Sequence, residues 1–356
     1  MNGMRWLCTV LVALSCAHAA AAQDFTVRIG VLGMFHPQLL SIRSARDRDL
    51  VVFLEKRQFF VRPRSSCSIL ELRASGDQLL LRCGRVQTRA PELRAAGRNQ
   101  EATQFVLGIP GKLERRYDGV LRIKAISGEI TAVVEMDLET AVASIVQAES
   151  MPDTPLEALK AQAVVSRSYL MAGRGRHANF DFCDLTHCQL LGEPPAAQSP
   201  SAQAAEATRG LVLAYEDETV VAMFTRSCGG TTRVPTENDS PSSGYPYYAV
   251  RCEICWRDPV HWTRILSKED ALTLASQGET GRIAIGRKLG WDAVPSYTFT
   301  TRAQADGVVL EGVGQGHGIG LCQRGARGMS ALGSDFRTIL GHYFPNTTLR
   351  LLSPKR

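Results

Sequence analysis

The sequence predicts an α+β protein in which a β-rich N-terminal region, residues 23–111, precedes a mixed α/β region, residues 112–356. Short runs rich in Val, Ile, Leu and Phe, separated by turn residues, fill the first region. The second contains two successive helical patterns within residues 137–171 and a glycine-rich segment followed by two more helical patterns near its end. The length allows one large domain or two modest ones.

Residues 1–22 have the pattern of a secretory signal peptide. Arg5 supplies the charged end, residues 6–16 form an apolar run, and residues 19–22 offer small side chains for cleavage. The apolar run is too short to span a bilayer, and no later stretch is long and apolar enough to do so. We therefore expect a protein that is secreted or resides in the periplasm or cell envelope, without a membrane span.

Charge and cysteine content fit such a compartment. The formal net charge of +6 becomes +5 when Arg5 leaves with the signal, a mild excess that does not indicate a nucleic-acid partner. Eight of the ten cysteines lie beyond the signal. In an oxidising compartment they are candidates for disulfides or metal ligands.

Apolar runs predict the strands of the β-rich region, but no motif in it indicates a function. Cys67 and Cys83 lie at the two ends of an apparent hairpin around residues 75–77 and could bridge it. The predicted strands of this region are residues 25–32, 50–54, 58–61, 67–72 and 78–83.

A turn at residues 117–119, a strand over 120–126 and a strand over 130–136 lead into the paired helices. Asp137 can cap the first helix. For the second helix, Thr154 at the N-cap, Pro155 at the first helical position and Glu157 two residues later predict a capping box.

Glu149 falls between these two helices, on a short loop fixed by rigid elements at both ends. Such a position favours a functional carboxylate. The alternative is a solvated Glu at a helix end, which is where most Glu residues are found.

The residues around this loop resemble the core of the SpoIID/LytB domain, the family of stage II sporulation protein D and the amidase enhancers, which act on cell-wall glycan. The family has Glu-Met-Pro before the second helix, whereas this chain has Glu-Ser-Met-Pro, with Ser150 offset by a shorter gap before Pro155. The resemblance begins near residue 112 and implies that Glu149 is the catalytic carboxylate and that Lys160 binds substrate. The residues that carry it are Glu149 to Pro152, residues 157–163, Arg167, Tyr169 and Leu170.

Two His and two Cys lie close together after the second helix, at His177, Cys183, His187 and Cys188. Imidazole and thiolate are the ligands that tetrahedral zinc prefers. A Cys183–Cys188 disulfide is an equal alternative on composition alone. SpoIID-like proteins carry a similar segment that holds zinc in some of them, so the resemblance implies a zinc ion here, structural because four protein ligands leave no open position.

Two glycine-containing segments are candidates for substrate binding. Ser227, Gly229 and Gly230 lie in a Ser-Cys-Gly-Gly-Thr-Thr run, and glycine there either lets backbone approach a sugar or forms a tight turn. His317 lies in Gly-His-Gly-Ile-Gly, whose spacing is not that of a nucleotide-binding loop. The family has similar segments lining its groove, so the resemblance implies that all four residues bind substrate, although His317 alone could equally be structural.

The remaining cysteines give a weaker signal. Cys252 and Cys255 have CxxC spacing, but one such pair is weak evidence for zinc, and no thioredoxin-like βαβ context supports a redox role. We therefore expect disulfides among Cys228, Cys252, Cys255 and Cys322, with a pairing that the sequence does not choose.

The resemblance implies a lytic transglycosylase that cleaves peptidoglycan glycan strands at N-acetylmuramic acid and leaves 1,6-anhydro ends. Glu149 would act first as an acid, which requires a raised pKa and hence an apolar, partly dry groove. A glycoside hydrolase would need a second carboxylate, such as Asp181, Asp184 or Asp258. The third possibility is a non-catalytic glycan-binding enhancer of a cell-wall amidase.

Overall fold

The structure is a computed structural model that describes residues 25–45, 49–175, 177–185, 188–235 and 244–353. The predicted signal peptide and His187 lie outside the described residues. Among the helices that the structure describes, none combines the length and apolar character needed to cross a bilayer.

Among these residues, twelve strands form one large, curled and mostly antiparallel sheet, with a short 3-10 helix at Gly33–Phe35. The predicted β-rich region is therefore confirmed. The Cys67–Cys83 bridge is also confirmed, with a Cα–Cα distance of 4.9 Å. The strands are β1 (Thr26–Val31), β2 (Leu39–Ser44), β3 (Leu50–Leu54), β4 (Arg57–Val61), β5 (Leu70–Ser75), β6 (Gln78–Cys83), β7 (Val86–Ala90), β8 (Glu92–Ala96), β9 (Thr103–Ile109), β10 (Leu113–Ile126), β11 (Glu129–Asp137) and β12 (Phe182–Cys183).

Strand β10 organises this sheet because its two halves pair with different neighbours. Its first half pairs with β9, whereas its second half pairs with β11 on one side and β8 on the other. The turn predicted at residues 117–119 is wrong: these residues continue the strand. Gly119, with φ 155°, lies so close to β11 that a Cβ would be 2.4 Å from the Glu135 carbonyl oxygen. The predicted domain boundary falls between β9 and β10.

The rest of the chain alternates helices with short strands in three small sheets, and a second 3-10 helix spans Trp291–Ala293. Helix α5 is broken at Gly278. The elements are α1 (Leu138–Glu149), α2 (Leu156–Ala172), α3 (Pro200–Ala207), β13 (Leu211–Tyr215), β14 (Glu218–Thr219), β15 (Phe224–Thr225), α4 (Glu253–Arg257), β16 (His261–Leu266), α5 (Lys268–Leu289), β17 (Thr298–Gln304), β18 (Gly307–Val313), β19 (Leu321–Cys322), α6 (Gln323–Ala331), α7 (Phe336–Tyr343) and β20 (Thr348–Leu351).

The sequence predicts the N-terminal cap of α1 correctly but not that of α2. Asp137 caps α1 as expected, accepting a hydrogen bond from the Thr140 N–H at 2.9 Å. The capping box predicted for α2 is wrong. The Thr154 hydroxyl donates to the Met151 carbonyl instead, and Glu157 accepts from the Phe336 N–H in α7. Pro155 is the N-cap residue.

Helix α2 lies between two hydrophobic cores. Leu159 and Leu170 pack into the core shared with the large sheet, α1 and α3. Val164 and Val165 pack into a second core formed with β13, β19, α6 and α7. A third, smaller core lies between α5 and β16–β18. Burial on nearly all sides fixes α2, and with it the loop that joins it to α1.

A buried ion pair joins α1 to α2. The Arg167 side chain is 0% exposed, and its Nε donates to Glu139 Oε1 at 2.8 Å. Its guanidinium also donates to the carbonyls of Leu211 and Ala205, and the Gly210 N–H donates to Glu139. Nearly every donor of Arg167 is thus used inside the protein, and the pair ties both helices to α3 and β13.

Candidate active site

Glu149 is the last residue of α1, and its side chain turns back against the protein. Its Oε1 accepts a hydrogen bond of 2.7 Å from the backbone N–H of Leu190, in the loop after β12. The Ser150 N–H donates to the Val146 carbonyl and closes the helix. The carboxyl group is half-buried and anchored by one oxygen, which leaves the other oxygen available for chemistry.

Burial raises the pKa of Glu149 above its ordinary value, and this effect outweighs two opposing ones. The Leu190 hydrogen bond and the positive charge of Arg226 favour the carboxylate and lower the pKa. The position at the C-terminal end of α1 adds to the effect of burial, since the helix dipole places partial negative charge there. Glu149 is thus more easily kept protonated than a solvated Glu, as a general acid requires.

Replacing Glu149 with Gln should therefore stabilise the protein increasingly as the pH rises. A carboxyl group whose pKa is higher in the folded state contributes most stability below its unfolded pKa, and this contribution is lost as the pH rises through the folded pKa. Gln keeps an acceptor for Leu190 but cannot ionise. Urea unfolding of both proteins at a series of pH values should show the stability difference growing from the ordinary carboxyl range upward.

Glu157 provides the matched control, because its hydrogen bond from Lys160 lowers its pKa. Its stabilising contribution is present above the unfolded pKa and lost as the pH falls. Glu157→Gln should therefore become relatively more destabilising as the pH rises. Parallel pH profiles for the two variants would contradict the assignment for Glu149.

Gln323 contacts both Glu149 and Gln162, although the sequence alone assigns neither glutamine a role. Gln323, the first residue of α6, donates from Nε2 to the Glu149 carbonyl at 3.2 Å and to Gln162 Oε1 at 3.3 Å. Gln162 is 2% exposed and donates to the Ser166 hydroxyl. Gln162 lies within residues 157–163, which carry the family resemblance, and Gln323 lies three residues after Gly-His-Gly-Ile-Gly, so nearness to these segments is the signal that could identify them.

The cavity next to the α1–α2 loop is small, and Ser150 rather than Glu149 lines it. Its volume is about 10 Å³, roughly the room for one water molecule. This cavity is too small for a sugar ring, so the described residues at this loop do not show the sugar-sized groove that the resemblance implies. The cavity is lined by Ser150, Met151, Thr154, Ala158, Gln162, Leu321, Gln323, Ala326 and Arg327.

The two glycine-containing segments lie next to each other. Ser227 and Gln315 exchange two backbone hydrogen bonds, of 3.0 and 2.8 Å. The Ser227 hydroxyl is buried and lies 3.5 Å from Cys255 Sγ. Gly229 is half-buried, and Gly230 is buried and accepts the Cys252 N–H through its carbonyl. Arg226, beside Ser227, brings this segment within electrostatic range of Glu149.

His317 and Lys160 are held by local interactions. The Ile319 N–H donates to His317 Nδ1 at 3.0 Å, which places the proton of the neutral imidazole on Nε2. Lys160 Nζ donates to Glu157 Oε1 at 2.6 Å and lies 6.0 Å from the centre of the Phe336 ring. Lys160 thus faces Glu157 and α7 rather than the cavity next to the α1–α2 loop.

The three candidates for a second carboxylate are all ion-paired. Asp181 pairs with Arg28 and Asp184 with Arg115, and both of these partners belong to the large sheet. Asp258 pairs with Arg324, which follows Gln323. Asp258 is 79% exposed, so of the three it is the most accessible.

The predicted zinc ligands that the structure describes come together. One ligand atom each from His177, Cys183 and Cys188 lies within 4.8 Å of the others. His177 Nε2 is 3.4 Å from Cys188 Sγ, which also accepts a hydrogen bond from the Cys183 N–H. One imidazole and two thiols at this spacing fit zinc, and His187, outside the described residues, is the remaining predicted ligand.

The expectation of disulfides among the last four cysteines is wrong. Cys228, Cys252, Cys255 and Cys322 are all buried and none is disulfide-bonded. Their four sulfur atoms nevertheless converge, each within 4.8 Å of the others.

The part of the chain that contains Glu149 is similar to known proteins. Residues 126–215 match the family model described as stage II sporulation protein, SpoIID. An uncharacterized protein of Brachyspira hyodysenteriae is 28% identical over 265 residues, covering 64% of this chain and 70% of that protein. The amidase enhancer of Bacillus subtilis is 24% identical over 276 residues, covering 54% of this chain but only 38% of the enhancer.

The matched segment runs from the end of β10 to β13. It includes Glu149, the paired helices α1 and α2, and the His177–Cys188 cluster, whereas the glycine-containing segments around Ser227 and His317 lie outside it. The resemblance of this chain to the SpoIID/LytB family is therefore confirmed.

Proposed function

We propose that this protein is a peptidoglycan lytic transglycosylase, which cleaves peptide-free glycan strands at N-acetylmuramic acid and leaves 1,6-anhydro ends. The observation that carries the proposal is the setting of Glu149: a half-buried carboxyl group of raised pKa, fixed by one oxygen, within the segment that matches SpoIID. A single carboxyl group of this kind suits a reaction in which one residue both gives and takes a proton.

In the proposed reaction, protonated Glu149 gives its proton to the glycosidic oxygen as the bond from C1 breaks. The resulting carboxylate takes the proton of the muramoyl C6 hydroxyl, whose oxygen bonds to C1 and closes the anhydro ring. Glu149 ends protonated and no water is consumed. The Leu190 N–H and the charge of Arg226 favour the carboxylate, so they stabilise the form of Glu149 that exists between the two proton transfers.

Substrate binding is assigned to the segments next to Glu149. Gly229 and His317 are half-buried, and Ser227 and Gly230 hold the backbone of the same segment in place. Lys160 is also proposed to bind substrate, which requires it to leave Glu157. A groove wide enough for sugar rings at this position requires the α1–α2 loop to move away from the start of α6, since residues of both line the small cavity.

We further propose a structural zinc ion held by His177, Cys183 and Cys188, with His187 as the fourth ligand. Cys188 lies two residues before Leu190, whose N–H is bonded to Glu149. By fixing this loop, the ligands would hold that N–H in position. The ion would supply folding energy and no step of the reaction.

The chain is proposed to be exported and to act on the cell wall. The alternative is an enhancer of a cell-wall amidase that binds glycan without cleaving it. Two observations favour this alternative: one relative is named an amidase enhancer, and the cavity next to the α1–α2 loop is small.

Mass spectrometry of products from peptide-free glycan strands tests the proposal. Purified protein should release fragments that end in 1,6-anhydro-N-acetylmuramic acid. Reducing ends would indicate a hydrolase. Peptide-free glycan that binds the protein but stays intact, together with faster release of stem peptides from whole peptidoglycan by an added amidase, would indicate an enhancer.

A further inference from the structure

The cluster of Cys228, Cys252, Cys255 and Cys322 draws its members from widely separated parts of the chain. Cys228 lies in the segment after β15, Cys252 and Cys255 at the start of α4, and Cys322 at the end of β19. All four side chains are buried. None of them lies within the segment that matches SpoIID.

The spacing of the sulfur atoms is that of a tetrahedral metal site. A Zn–S bond of about 2.3 Å in a tetrahedron places the sulfurs about 3.8 Å apart. The Cys255 and Cys322 sulfurs are 3.6 Å apart, and all four lie within 4.8 Å of one another. Disulfide-bonded sulfurs would be only about 2.0 Å apart.

Donors of the protein point at these sulfurs. The N–H groups of Cys228 and Gly325 each lie 3.4 Å from Cys322 Sγ. The Tyr343 hydroxyl donates to Cys252 Sγ at 3.2 Å, and the Ser227 hydroxyl lies 3.5 Å from Cys255 Sγ. Hydrogen bonds of this kind commonly surround metal-bound thiolates, whose negative charge they stabilise.

The local backbone is also adapted to a compact cluster. The CxxC spacing puts Cys252 and Cys255 about one helical turn apart, so both sulfurs face the same side. A Cβ on Gly325 would lie 1.9 Å from the Tyr343 hydroxyl and 2.5 Å from Cys252 Sγ. Only glycine at position 325 leaves room for Cys252 and its hydrogen-bond partner.

We propose that Cys228, Cys252, Cys255 and Cys322 bind a structural zinc ion. Each thiol releases its proton to solvent as it coordinates, and the four thiolates close the coordination sphere, which leaves no position for substrate or water. The positive ion also compensates negative charge that burial would otherwise make costly.

This ion would join the segments that surround Glu149. Cys228 follows Ser227, and Cys322 precedes Gln323, whose amide donates to the Glu149 carbonyl. Cys252 and Cys255 add α4 to the same centre. The site would thus cross-link α4 to the segments that contain Ser227 and Gln323. The metal site can exist whether or not the proposed reaction occurs.

Metal analysis of the purified full-length protein tests the proposal. Because the His177 cluster is a second candidate zinc site, the decisive background is the variant Cys183→Ser/Cys188→Ser. This variant should retain one equivalent of zinc, and X-ray absorption should show four sulfur neighbours at about 2.3 Å. Adding Cys252→Ser and Cys255→Ser should remove that equivalent.

Differential alkylation of the unaltered protein gives a second test that does not depend on how the variants fold. The four cysteines should resist iodoacetamide until a chelator removes the metal, and then react together. Peptide mapping that finds disulfides among them would overturn the proposal. Iron at the site would also overturn it. So would purified protein that contains no metal and whose four thiols react with iodoacetamide before any chelator is added.

Discussion

Replacing Glu149 with Gln should lower the rate of anhydro-product release by about 10²- to 10⁴-fold, the usual contribution of a general acid–base group. Gln matches Glu in shape and still accepts the Leu190 hydrogen bond, so the change removes the proton and little else. Release of anhydro fragments from peptide-free glycan, followed by chromatography and mass spectrometry at equal protein concentrations, measures the effect. Unfolding by urea confirms that the variant is folded.

Asp258→Asn is the matched control for this experiment. Asp258 is exposed and pairs with Arg324, one residue after Gln323, so it is the accessible candidate for a second carboxylate. The proposed reaction uses one carboxyl group, and this variant should therefore keep the wild-type rate. A loss as severe as that of the Glu149 variant would instead favour a two-carboxylate hydrolase.

Replacing Arg167 with Met should destabilise the protein by about 3–5 kcal/mol, the usual cost of removing one member of a buried ion pair. Arg167 is fully buried and donates to Glu139 and two backbone carbonyls. Its loss would leave a buried carboxylate with only the Gly210 N–H as a hydrogen-bond donor among the contacts described above. Urea unfolding at neutral pH measures the change in the free energy of unfolding.

A double variant and an exposed pair give the controls for Arg167. Replacing Glu139 with Leu in the Arg167→Met protein should recover part of the lost stability, because the unpaired buried charge is then gone. Arg209→Ala, which breaks the exposed Arg209–Glu206 pair, should change stability by only about 0–1 kcal/mol. Equal losses at Arg167 and Arg209 would show that the buried pair has no special role.

Features set by neighbouring residues could be predicted from the sequence. The apolar runs that became β3 and β6, the Asp137 cap and the Cys67–Cys83 bridge each depend on residues near one another in the chain or across one hairpin. Glu149 is recognisable as a candidate because its motif and its place between two helices are both local.

Features set by distant contacts could not be predicted. The Thr154 capping box failed because Glu157 is taken by the Phe336 N–H, from a helix almost at the end of the chain. Strand β10 is predicted too short because the pairing of residues 117–119 with β9 and the close approach of Gly119 to β11 are not visible in the sequence. The four converging cysteines were expected to form disulfides because the spacing of only one pair, Cys252 and Cys255, is visible in sequence.

If Glu149 directs an intramolecular attack of the muramoyl C6 hydroxyl, no water enters the product. Digestion of peptide-free glycan in ¹⁸O-labelled water tests it most directly. We expect muramoyl ends that are one water lighter than reducing ends and carry no ¹⁸O, and we expect the Glu149→Gln variant to lose these products. Reducing ends labelled with ¹⁸O would contradict it.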